Sequence, residues 1–99
     1  MAQILITTTV AAGPTQFVAT PHNYRVATMI ACKSLAGPSA AANAGIVKVG
    51  QSGTASQQPL EFNPGDERVF HAAAGQMLDL SRYYLTVAND GDGLAIIYE

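Results

Sequence analysis

Apolar and polar residues alternate with a period of two along several short stretches of this chain, the spacing of half-buried strands. Residues 3–10, Gln-Ile-Leu-Ile-Thr-Thr-Thr-Val, are rich in β-branched side chains, with Ile4, Ile6 and Val10 on one parity and Leu5, Thr7 and Thr9 on the other. Residues 24–35 are the longest strand candidate. Tyr24, Val26, Thr28, Ile30 and Cys32 share one face, predicted to turn toward the core. Arg25, Ala27, Met29, Ala31 and Lys33 share the other, which its two basic residues mark as half-exposed. Ile46–Val49 is a short strand ending at Gly50, and Leu60–Phe62 and residues 67–72 follow it. Alternation returns at 82–88, with Tyr83, Leu85 and Val87 against Arg82, Tyr84 and Thr86, and Leu94–Tyr98 is the closing strand.

Glycine and proline interrupt these stretches at Gly13-Pro14, Pro21, Gly37-Pro38, Gly50, Gly53, Pro59, Pro64-Gly65, Gly75, Gly91 and Gly93. The segments between them are mostly about 5–12 residues long, which suits strands and not a helical bundle. Residues 36–44 and 51–58 read as loops of small and polar residues. Asn63-Pro64-Gly65-Asp66 is a tight turn, because proline presets a negative φ and glycine supplies a positive one. Asn89-Asp90-Gly91-Asp92-Gly93 predicts a hairpin connection on the same grounds. Residues 72–80 are the one place with helical character, limited to a single turn by Gly75.

With 99 residues, no repeat and no long linker, the chain predicts one all-β domain spanning 1–99. The expected architecture is a single antiparallel β-sandwich, jelly-roll or immunoglobulin-like, of about six to eight strands, with a partly closed barrel as its neighbour.

Composition narrows the class. The 48% apolar and 12% charged fractions belong to a globular chain, and no apolar run approaches the roughly 20 residues of a membrane-spanning helix. The N-terminal stretch lacks a basic region and turns to threonine too early for a signal peptide. One cysteine, Cys32, excludes an intramolecular disulfide and makes a reducing cytosol the default place of synthesis. Five basic against seven acidic residues argue against a general nucleic-acid or anionic-membrane binder. A soluble monomer normally carries about twice this charged fraction, so part of the surface is expected to be covered by a partner or by further copies.

Candidate chemistry is sparse. His22 and His71 stand far apart with no metal-ligand spacing around them, so no metal or cofactor is expected. Cys32 reads as a small buried hydrophobe, and no serine sits in Gly-x-Ser-x-Gly. Residues 89–93 look like part of a calcium loop but lack its closing glutamate. Gly50-Gln51-Ser52-Gly53 has no following Lys-Ser/Thr and is not a phosphate loop. The four tyrosines do not interleave with basic residues, so stacking on single-stranded nucleic acid lacks its electrostatic half. Nothing here marks an enzyme.

From residue 44 onward the order of elements is distinctive. A strand ends in Val49-Gly50, a polar loop follows, and Leu60-Glu61-Phe62 leads into Pro64-Gly65-Asp66. Leu78-Asp79-Leu80-Ser81 then precedes Tyr83-Tyr84-Leu85, and Gly91-Asp92-Gly93 opens the terminal strand. This order resembles the small β-sandwich virion proteins of tailed bacteriophages, across a little over half of the chain. The resemblance lies in strands and turns and carries over no catalytic residue. It implies a capsid decoration or cement protein that bridges major capsid subunits on the capsid surface after synthesis in the host cytoplasm. A head–tail junction or tail accessory protein is the related alternative. Self-association, as a trimer at a symmetry axis, is what the family leads one to expect.

Residues 1–9 are a candidate N-terminal arm or edge strand, with Ile4, Leu5, Ile6, Thr7, Thr8 and Thr9 as the partner-binding candidates. The competing expectation is that they form the first strand of the chain's own sheet. The competing function is a carbohydrate- or ligand-binding sandwich module, which usually displays exposed aromatics and often tryptophan; this chain has none of the latter.

Overall fold

A computed structural model describes residues 2–99. Ten strands are present: β1 (Ala2–Thr7), β2 (Thr15–Gln16), β3 (Asn23–Tyr24), β4 (Val26–Ile30), β5 (Val47–Gly50), β6 (Leu60–Phe62), β7 (Glu67–His71), β8 (Leu78–Asp79), β9 (Tyr84–Val87) and β10 (Gly93–Tyr98). One 3-10 turn, Leu80–Arg82, precedes β9. All pairings are antiparallel.

Two four-stranded sheets run β1-β10-β4-β7 and β2-β9-β5-β6, and β3 and β8 form a separate two-residue ladder. With that ladder set aside, the first strand pairs the last, the second the next to last, and so inward to the single hairpin β5–β6. This is one long antiparallel ribbon rolled over on itself, so that β10 also meets β4 and β9 also meets β5. The result is the jelly-roll form of the β-sandwich.

Alternate residues of the two sheets face each other across the core. Ile6, Ala27, Met29, Leu94 and Ile96 from the first sheet pack with Val47, Val49, Phe62 and Leu85 from the second in one core cluster. Tyr24, Leu80 and Tyr83, from the β3–β8 region, join the same cluster. No helix is long and apolar enough to cross a membrane among the described residues.

Four local expectations are corrected. The 24–35 segment is two strands, broken at Arg25, and its inward residues are Ala27, Met29 and Ala31, with Val26, Thr28 and Ile30 half-exposed. Arg25 and Lys33 lie outside β4, so their polarity says nothing about its faces. The turn at 89–93 has the expected positive φ at Gly91, but β9 and β10 belong to opposite sheets. It is a crossing between layers and not a hairpin. The helical turn falls at Leu80–Arg82; upstream, Gly75 takes φ +77° in a tight turn closed by Gln76 N–H to the Ala73 carbonyl. The strand number exceeds eight because β3 and β8, of two residues each, add a third ladder.

Candidate interaction surface

Of residues 1–9, Met1 lies outside the described residues, and Ala2–Thr7 belong to the chain's own sheet: β1 pairs with β10 from Ala2↔Tyr98 through Thr7↔Gly93 and forms the edge of the first layer. Ile6 is buried and Ile4 half-buried against the core, while Leu5 and Thr7 face outward. Thr8 continues the ladder by donating its N–H to the Asp92 carbonyl, and its buried hydroxyl lies 2.7 Å from that of Thr15. Thr9 is exposed, and its hydroxyl accepts from the Ala12 N–H. Of the six candidates, Leu5, Thr7 and Thr9 are therefore accessible, Ile4 is half-buried, and Ile6 and Thr8 serve the fold.

A second surface was not legible in the sequence. Lys48, Glu61 and Thr86 are direct cross-strand neighbours on the outer face of the second sheet. With Val10, Gly13, Ile46, Ala55, Val87 and Ala88 they line an open groove of about 490 Å³. Val10 and Ile46 are large exposed apolar residues. Both lie just outside the strands that the alternation assigns them to, since β1 ends at Thr7 and β5 begins at Val47.

The acidic loop that resembles a calcium site is occupied by backbone donors. Asp92 is fully buried; its two oxygens accept the Ala44 and Gly45 N–H groups at 2.9 and 3.0 Å, with Lys33 Nζ at 3.7 Å. Asp90 accepts the Val10 N–H at 2.8 Å. These carboxylates tie loops together across the sandwich. Asp79 does similar work, accepting from the His22 N–H and from both the N–H and the hydroxyl of Ser81. Those bonds, the His22 amide first, hold its carboxyl below the usual aspartate range.

His22 packs its ring edge-on to Tyr98, and His71 is exposed at the end of β7. No cluster of three or more potential metal ligands occurs among the described residues. Cys32 is buried, with its thiol 3.2 Å from the Ser34 carbonyl. The Tyr24 hydroxyl is buried without a hydrogen-bond partner, and burial together with nearby Tyr83 pushes its ionisation well above the ordinary phenol range. Phe17, Tyr24, Phe62 and Tyr83 are buried, and Phe70, Tyr84 and Tyr98 are half-buried.

Comparison of the chain with known protein families, curated proteins and solved structures gives no match.

Proposed function

We propose that this protein is a structural component of a phage virion, acting as a capsid decoration or cement protein that bridges major capsid subunits. The jelly-roll topology carries the reading, because this fold recurs in viral capsid domains, as it does in lectins and cupins. The strand and turn order of residues 44–99 adds to it. So does a surface low in charge, with an uncharged β1 edge and a groove on the second sheet whose two charges, Lys48 and Glu61, are of opposite sign. Each contact is weak, and the shell lattice multiplies it by presenting many sites at once.

The lectin-like alternative needs an exposed ring for sugar stacking, and the chain has no tryptophan, with four of its seven aromatic residues buried and the other three half-buried. Mass spectrometry and antibody labelling of purified particles test the proposal. Abundant copies on the shell are the expected result; absence from particles, or labelling confined to the tail, rejects capsid decoration.

A further inference from the structure

The two open edges of the first sheet are built differently. β7 carries Glu67 and His71, and Arg68 points inward, lying 4.7 Å from the centre of the Phe62 ring. Such charges are what natural edge strands use to prevent sheet-to-sheet pairing. β1 has none of these devices. Its six residues, Ala-Gln-Ile-Leu-Ile-Thr, contain no charge and no proline. The open edges of the second sheet, β2 and β6, are only two and three residues long.

The bonding parity of β1 follows from its neighbours. Thr8 N–H donates to the Asp92 carbonyl, while Gly93, opposite Thr7, turns both backbone groups to the Asn43 side chain. On the other side of β10, Glu99 exchanges both bonds with Val26. Antiparallel ladders alternate, so Ala2, Ile4 and Ile6 bond inward to β10. Gln3, Leu5 and Thr7 therefore direct their N–H and C=O groups to the open edge.

We propose that this edge pairs antiparallel with β1 of a second copy of the chain, on a two-fold axis at Leu5, joining two four-stranded sheets into one. Leu5 then stands opposite the partner's Leu5 as a hydrogen-bonded pair, and Gln3 opposite the partner's Thr7. Ile4 falls opposite the partner's Ile6 on the core side, which covers the half of Ile4 left open in one copy. Apolar meets apolar, polar meets polar, and no like charges face each other, as a strand pairing with itself requires. Leu5, 38% exposed, lies at the centre. This dimer goes beyond the virion reading and stands without it.

Sedimentation velocity on the purified full chain tests the pairing. A mass twice the 10.3 kDa of the chain is expected. It is expected at about 100 µM, since an interface of this small kind is weak. Leu5→Lys sets two ammonium groups against each other and is expected to give a monomer with an unchanged circular dichroism spectrum, while Val69→Lys on β7 leaves the dimer intact. Should Leu5→Lys fail to fold, cysteine cross-linking decides. Leu5→Cys is expected to form an intermolecular disulfide under mild oxidation, since opposed residues in such a pair stand about 5.5 Å apart. Gln3→Cys is not, because the two copies of position 3 would lie roughly 14 Å apart along the ladder. A monomeric or trimeric native chain, a dimer indifferent to Leu5→Lys, or equal cross-linking at positions 3 and 5 overturns the proposal.

Discussion

The Asn43 carboxamide and the Gly93 backbone bond each other in both directions: Nδ2 donates to the carbonyl at 2.8 Å, and the Gly93 N–H donates to Oδ1 at 3.0 Å. If the β4–β10 register ran on, Cys32 would face Gly93, but Cys32 instead forms an isolated bridge with Ala42. A side chain thus completes the ladder where the neighbouring strand turns away. Asn43→Ala leaves two backbone groups without partners and is expected to cost about 3 kcal/mol, read by urea unfolding. Asn43→Asp is expected to cost a similar amount, because a carboxylate cannot donate to the carbonyl.

Asp92 and Lys33 form an unequal pair, the carboxylate fully buried and the amine side chain 36% exposed. The Ala44 and Gly45 amides hold Asp92 more closely than Lys33 does. Asp92→Ala leaves two amides unpaired and is therefore expected to lose roughly 2–4 kcal/mol, and Lys33→Ala less than that, because the two amide bonds still hold the carboxylate. Equal losses in the two variants would mean that the ion pair, and not the amide bonds, holds this corner.

Acid should loosen the His22–Ser81 corner. Hydrogen bonds from the His22 and Ser81 amides lower the folded-state ionisation of Asp79, so its contribution is fully present above the ordinary aspartate value of about 4 and fades as pH falls through the lowered one. The melting temperature is expected to drop as pH falls below the ordinary aspartate value, and Asp79→Asn to flatten that part of the profile.

Cys32 has no exposed surface, and its thiol is directed at the Ser34 carbonyl. Native protein should react with a thiol reagent far more slowly than urea-unfolded chain. Cys32→Ala is expected to cost about 1 kcal/mol and to leave the oligomeric state unchanged. Labelling of native chain at the unfolded rate would place the thiol at the surface.

The sequence was legible where one face of a strand is clearly apolar. β1, β9 and the 63–66 turn lie where alternation and turn chemistry place them, with Ile6, Tyr83 and Leu85 inward. In β4 both faces are apolar: small Ala27 and flexible Met29 point inward, while Val26 and Ile30 stay half-exposed. Periodicity cannot choose between such faces, and the flanking basic residues pointed the wrong way. The 89–93 segment shows a different limit. Its glycines announce a reversal, but whether the flanking strands pair or change layers depends on Asn43, Ala44 and Gly45, some fifty residues away. Alternation sets Val10 on the inward parity of Ile4 and Ile6 and Ile46 at the head of a strand, but β1 ends at Thr7 and β5 starts at Val47, which leaves both residues exposed in the groove.

The pairing of β1 with β10 joins positions 86 to 96 residues apart and sets β10 at the heart of the first layer. Closing so long a loop costs conformational entropy before any contact rewards it. Folding is therefore expected to be slow, in the millisecond-to-second range of all-β domains with distant pairings. During synthesis the first sheet has no centre until residues 93–98 have left the ribosome. Until then β1 and β4 hold strand edges that nothing covers, and the emerging chain is at its most prone to aggregate.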